Sequence, residues 1–214
     1  MTSYADRSQV IIALLFGDKL NTEKLSLGLG VGSNLSKLSE FEDISRLPSF
    51  SFRLYLTVKL TDKLDIQPEF WPKYSVGFRH LDVYSLDDPD LDQVIQDGKV
   101  SRKIHYFAVP VPLQYEILDN FRIEVGPQNS LATRANDFFK SDDLEYKNDI
   151  KDDVERFDFG FISGMSYQLM KGKGIRLAAR YYQGFVDMIQ NEQDSSTSNT
   201  VSNFQISAYI PVGK

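Results

Sequence analysis

The chain has no cysteine, which excludes disulfides, thiolate metal sites and cysteine nucleophiles together. It also lacks a long apolar run. The longest, Val10 to Phe16, falls far short of the roughly 20 residues a spanning helix needs. Basic residues are outnumbered, 24 Lys and Arg against 30 Asp and Glu for a net charge of −6, so the clustered positive excess of a nucleic-acid footprint is missing and no nucleic-acid partner is expected. Histidine is scarce, with two, which leaves few groups for acid–base work near neutral pH. Charged residues at 25% and hydrophobic ones at 42% fit neither disorder nor a helical membrane bundle. On composition alone, these 214 residues read as one soluble acidic domain. The pattern along the chain argues otherwise.

What the sequence does have is alternation. Phe50, Phe52, Leu54, Leu56, Val58 and Leu60 take every even position from 49 to 60, and Ser49, Ser51, Arg53, Tyr55, Thr57 and Lys59 take every odd one. A period of two puts all the apolar groups on one face of a strand. Seven further segments repeat it, around Leu25–Gly32, Leu64–Trp71, Tyr106–Glu116, Phe121–Gly126, Phe157–Leu169, Ile175–Tyr182 and Asn203–Ile210. Thr61-Asp62-Lys63, Leu118-Asp119-Asn120 and Met170 to Gly174 make tight connections rich in turn residues. Four other connections are long: about Ser33 to Pro48, Ser75 to Ser101, Thr133 to Asp153 and Ile189 to Asn199. The expectation is eight strands of roughly nine to twelve residues in an up-and-down meander, with short turns at one end and long loops at the other.

Alternation does not say which face is inside. A soluble, calycin-like barrel binding a lipid or other apolar ligand has an apolar interior, and a membrane barrel has the reverse. The polar face here is rich in small residues (Gly28, Gly30, Gly32, Ala108, Gly126, Gly160, Gly164, Ser166), which suit the crowded lumen of an eight-stranded barrel. The apolar face is too large and aromatic to fit there. The polar face also balances its charges, with Arg53, Lys59, Arg122, Arg176 and Arg180 against Asp65, Glu69, Glu116, Glu124 and Asp158. A buried ion network needs such parity, because an unpaired charge inside is costly. The fold expected is therefore all-β, an eight-stranded antiparallel up-and-down transmembrane β-barrel over residues 24–214. Residues 1–23 are expected to form an N-terminal periplasmic extension.

The ordered motifs sharpen this. The Gly-rich strand Leu25 to Asn34, Leu64-Asp65-Ile66-Gln67-Pro68-Glu69-Phe70, the Val-Pro-Val-Pro-Leu run Val109 to Leu113, Val125-Gly126-Pro127, Asp158-Phe159-Gly160 and Arg180-Tyr181-Tyr182-Gln183-Gly184 resemble the PorT-like outer membrane β-barrel family of Bacteroidota. The resemblance covers roughly Lys24 to Val212. It implies an eight-stranded barrel in the cell outer membrane, with some relatives linked to protein secretion and gliding motility. Two departures stand out. No signal peptide is visible, so a processed form with Met1 added is expected, and the sequence ends Ile210-Pro211-Val212-Gly213-Lys214 without the terminal aromatic common in such barrels.

Candidate sites are few. Asp65, Glu69, Glu116 and Glu124 can be read as paired carboxylates for acid–base or cation chemistry, but five basic groups share their face, so a structural network is expected. A lipid-modifying enzyme of the outer membrane would need a His–Ser–acid set such as His105 with Ser101 and Asp82, and no spacing motif supports one. His80 lies in the same long loop. Asp87-Asp88-Pro89-Asp90-Leu91-Asp92 lacks the glycine and distal Glu of a calcium loop, and it reads as a solvated acidic loop, as do Asp142-Asp143 and Asp152-Asp153. Val10 to Phe16 is expected at the periplasmic mouth, and Pro110 and Pro112 to interrupt strand pairing. No catalytic residue, metal site or cofactor is expected. The expected partners are outer-membrane lipid or lipopolysaccharide and a periplasmic or outer-membrane protein.

Overall fold

The computed structural model describes residues 24–38, 44–141, 144–172, 174–189 and 199–212. Val10 to Phe16, the extension over 1–23 and Asp142-Asp143 lie outside them. The strands are β1 (Leu25–Leu38), β2 (Ser45–Lys59), β3 (Leu64–Ile66), β4 (Glu69–Asp82), β5 (Lys99–Pro110), β6 (Leu113–Leu118), β7 (Phe121–Lys140), β8 (Glu145–Asp149), β9 (Phe157–Gln168), β10 (Arg176–Gly184) and β11 (Val201–Pro211). A helix α1 (Pro89–Ile95) sits between β4 and β5. Each strand pairs antiparallel with its neighbours, and β1 pairs with both β2 and β11, which closes the sheet into a barrel.

The expected eight strands are thus eleven segments among the described residues, and the difference has two causes. Two wall strands are each broken by proline, which cannot donate to a ladder: β3 and β4 at Gln67-Pro68, and β5 and β6 at Val111-Pro112. The remaining segment, β8, is an added strand that among the described residues pairs with β7 alone. The wall stays tied at the breaks. The Val111 N–H donates to the Pro127 carbonyl and the Gln67 N–H to the Pro112 carbonyl, both at 2.9 Å. Gly126 permits this pinch, since a Cβ there would lie 2.3 Å from the Val111 carbonyl oxygen.

The tight turns fall where alternation stops, with Asn120 at φ 66°, a left-handed conformation that Asn tolerates. The long connections are shorter than expected, because strand continues into them. β1 reaches Leu38, β4 reaches Asp82, and β7 runs for 20 residues.

The two faces are sharply different. Phe50 (82% exposed), Phe70, Phe107, Val109, Ile123, Phe159, Phe161, Tyr181, Phe204 and Ile206 point outward around the whole wall, while Arg53, Glu69, Glu124, Arg180 and Gln205 are buried inside. An apolar belt of this extent is a lipid-facing surface. The calycin-like alternative requires the opposite arrangement.

Above the belt, away from the tight turns, the polarity inverts. Tyr74, Val76, Phe78, Ile104, Tyr106, Ala132, Ala135, Met188 and Val201 form an apolar core inside the barrel, and Lys73, Arg134 and Lys147 face outward. β4 and β7 make the change with register shifts, between Trp71 and Tyr74 and beside His105. Each bulge moves the inward set from one parity to the other: Glu69 and Trp71 give way to Tyr74 and Val76, and Ser130 and Ala132 to Ala135 and Asp137. Farther out, α1 packs Ile95 against Val100, Phe139, Tyr84 and Tyr146 in a small separate core.

Candidate functional site

The interior of the belt is the most chemically loaded place in the molecule. Glycines on β1 open space there: a Cβ on Gly28 would lie 2.2 Å from the Tyr55 ring, and one on Gly32 2.8 Å from the Arg53 guanidinium. Arg180, from β10, lies at the centre. Its Nη1 is 2.8 Å from Glu69 of β4 and its Nε 2.5 Å from Glu124 of β7, with all three side chains fully buried. Arg176 pairs with the other Glu124 oxygen at 3.2 Å and donates to Gln67. Glu69 also accepts from Trp71 Nε1 (2.8 Å), Gln67 Nε2 (2.7 Å) and Tyr209 Oη (3.1 Å). Every oxygen of the two central carboxylates is thus engaged, as a buried charge requires. Nearer the tight-turn end, Arg122 bridges Asp65 at 2.5 Å and Glu116 at 3.1 Å.

Three of the ten expected network members have no carboxylate–cation contact in it. Arg53 donates to Tyr209 (2.7 Å) and lies over the Trp71 ring at 3.9 Å, a cation–π contact in place of an ion pair. Asp158 accepts from the Tyr182 hydroxyl at 2.7 Å. Lys59 lines the mouth at the tight-turn end, a cavity of about 180 Å³ shared with Asp65, Arg122, Arg176 and Tyr209. The aromatic partners that stand in place of a carboxylate at Arg53 and of a cation at Asp158 carry no charge, so a count of charges along the strands passes over them.

The cluster Arg53, Glu69, Trp71, Glu124, Arg180 and Tyr209 joins β2, β4, β7, β10 and β11 across the lumen. The barrel is bridged at this level.

The histidine set expected of a lipid-modifying enzyme is not brought together. His105 Nδ1 lies 2.9 Å from Ser75 Oγ, Ser101 faces Phe138 in the ladder, and Asp82 pairs with Lys99. His80 meets Ser45 Oγ at 2.9 Å. In the acidic loop, Asp88 caps α1 by accepting from the Asp90 and Leu91 amides at 3.2 Å. Asp92 accepts from the Leu86 amide (2.8 Å) and Ser85 Oγ (2.5 Å), and those hydrogen bonds lower its pKa. These carboxylates organise the loop backbone, and among the described residues no group of three His, Asp or Glu is arranged to hold a metal. Sequence reading missed a buried pair beyond the membrane: Arg102 binds Asp137 through Nε (2.9 Å) and Nη2 (2.7 Å), with Tyr84 Oη donating to the same carboxylate. Burial, with Asp137 beside it, pushes the Tyr84 phenol up to about 12.

The family described as outer membrane protein beta-barrel domain matches residues 16–190. The chain belongs to that family. As an outer membrane β-barrel protein, it resides in the outer membrane, with the aromatic belt against lipid. No curated protein sequence matches it significantly. Among solved structures, this outer membrane barrel is similar to Ail, the attachment invasion locus protein of Yersinia pestis, at 10% identity over 88% of this chain and 97% of that one, with TM-score 0.43. It is also similar to Neisserial surface protein A (12% identity, 89% and 97% covered, TM-score 0.44). A third is a major outer membrane protein from Thermus thermophilus (12%, 87% and 98%, TM-score 0.49). At these values the likeness carries no functional argument.

Proposed function

We propose that this outer-membrane barrel is a non-catalytic structural or assembly component, secretion-associated in the manner of the PorT-like barrels its motifs resemble, and that it acts through its ends. The observation that carries this reading is the bridged lumen. Arg53, Glu69, Trp71, Glu124, Arg180 and Tyr209 meet across it, so a diffusing solute has no wide path, as expected of an eight-stranded wall. The surfaces left for work are the periplasmic turns and the sheet that rises beyond the belt with α1 packed on it.

Two measurements test this. Liposomes containing the folded protein should show no swelling in small sugars above that of protein-free liposomes; solute-sized flux would overturn the closed-lumen reading. Deleting the gene should then lower protein secretion or disturb assembly of other envelope proteins. Restoration should fail when Val83 to Asp97 is replaced by a Gly-Ser linker that leaves the barrel folded. Full restoration by that variant and by one altered at the periplasmic turns would remove the reading that the ends carry function.

A further inference from the structure

The outward face just beyond the belt carries a row of cations. On β5, Phe107 is the last exposed aromatic of the belt, and His105 and Lys103 follow on the same face. His105 is paired with Arg134 on β7 and with Ser75 on β4, and Lys103 with Asn136 and Gly77. Lys73 on β4 and Lys147 on β8 extend the row on either side. At about 3.3 Å per residue, Arg134 and His105 lie roughly 7 Å and Lys103 roughly 13 Å along the strand beyond Phe107. Lys73 is level with Phe107 itself, and Lys147, opposite Phe138 and so level with Ser101, lies roughly 20 Å beyond. Beneath it the rings of Phe70 and Phe107 pack with centroids 6.2 Å apart.

These cations are not consumed by the fold. Among the described residues, no ion pair engages Lys73, Lys103, Arg134 or Lys147. On β8 the outward carboxylates Glu145 and Asp149 stand on either side of Lys147, opposite Lys140 and Asn136, and neither is within ion-pair distance of the row. Asp149 accepts from the Lys151 amide at 3.1 Å. The charges acting most strongly on His105 are all positive: Lys103, Lys73, Arg134 and Lys147. The equivalent outward row on the opposite wall, formed by β1, β11 and β10, reads Lys37, Ser202 and Gln183, with one cation.

We propose that Lys73, Lys103, Arg134 and Lys147, with the Phe70–Phe107 surface beneath them, form a binding site for a phosphorylated glycolipid of the outer leaflet. Acyl chains lie against the aromatic pair, and the phosphates sit among the ammonium and guanidinium groups. Two features favour a lipid over a free anion. The apolar half of the site is continuous with the lipid belt, and the cations begin with Lys73, level with Phe107, and Arg134, about 7 Å beyond that last belt aromatic of β5. Arg134 offers the planar fork that suits a phosphate, with the lysines as surrounding point charges. The site is independent of whatever the barrel's ends do.

The test uses the full chain folded in phosphatidylcholine nanodiscs, with bound lipid counted by native mass spectrometry. The probes are diphosphorylated lipid A, lipid A stripped of phosphate, and inorganic phosphate. Lys103→Gln with Arg134→Gln should weaken binding of the diphosphorylated lipid roughly 30-fold, two near-surface charges' worth, and Lys37→Gln on the opposite wall should leave it unchanged. If the double variant does not fold, Lys73→Gln with Lys147→Gln serves in its place, with the same loss expected. Equal binding of the dephosphorylated lipid, or no effect of either double variant, would overturn the proposal. Competition by inorganic phosphate at the same affinity would overturn the commitment to a lipid.

Discussion

Within the belt the barrel is ionic inside and apolar outside; beyond it the same strands are apolar inside and polar outside, with cations gathered on the β4–β5–β7–β8 side. β5 shows both on one continuous face. Phe107 and Val109 meet lipid, and His105 and Lys103, farther along, meet water. The difference lies in the surrounding medium. Against lipid, an apolar side chain gains nothing by turning inward, so the lumen is free to hold charges provided each finds an opposite charge, a hydrogen-bond partner or, like Lys59 at the mouth, solvent. Against water, the hydrophobic effect again drives apolar groups in, and Tyr74, Val76, Phe78 and Ile104 obey it. The two interiors therefore depend on different forces and should fail differently when perturbed.

The largest effect is expected in the ionic half. Glu124→Ala removes the carboxylate that faces both Arg176 and Arg180 and leaves buried positive charge without its partner, a loss of about 3–5 kcal/mol. The chain's one tryptophan, Trp71, lies buried beside Arg53 where the two halves meet. Its fluorescence during urea unfolding from lipid vesicles therefore reads the loss directly. A change no larger than that of an exposed substitution would show that the network does not hold the lumen. In the apolar half, Ile104→Val shortens a fully buried side chain by one methylene and should cost about 1 kcal/mol. Hydrogen exchange should then accelerate in the outer parts of β4, β5 and β7 and stay unchanged in the belt. Acceleration spread evenly along the strands would mean the two halves unfold as one unit, and the comparison would lose its energetic meaning.

How much of this is legible in the sequence follows from the same inversion. Inside the belt, period-two alternation with glycine on the polar face marks the strands, their inward residues and the tight turns, because one medium applies along the whole segment. Beyond the belt the alternation persists but changes phase. Tyr74, Val76 and Phe78 alternate with Ser75 and Gly77, yet the bulge after Trp71 breaks the register with Phe70, and a reading at fixed parity sees a loop. The charge parity of the ten interior residues points to a network. The pairing itself is not legible, since Arg53 turns to Trp71 and Tyr209 and Asp158 to Tyr182, and aromatic partners leave no mark in a charge count. The cationic rim is hidden for a related reason. Its members are scattered along the chain from Lys73 to Lys147 and come together only through the β4–β5–β7–β8 pairing.

The smallest effect tests the outer surface of that comparison. Burial, then the charges of Lys103, Lys73, Arg134 and Lys147, hold the His105 imidazole below its ordinary pKa. The folded protein therefore takes up this proton at a lower pH than the unfolded chain does. The stability tied to the neutral ring is fully present above the unfolded value of about 6.5, and it is lost as pH falls through that value toward the folded one. Because the ring is partly exposed, the stability change should be slight, and NMR titration of the imidazole is the sharper measurement. It should give a midpoint below that of a free histidine, moving up in Lys103→Gln with Arg134→Gln as two of the repelling charges go. A bound diphosphorylated lipid A should move it up further in the wild-type chain, since phosphates placed among the cations offset their field. A wild-type midpoint at or above the ordinary value would mean that carboxylate or solvent already neutralises the rim. The outer face would then be a mixed polar surface, without the cationic excess that sets it apart from the balanced interior.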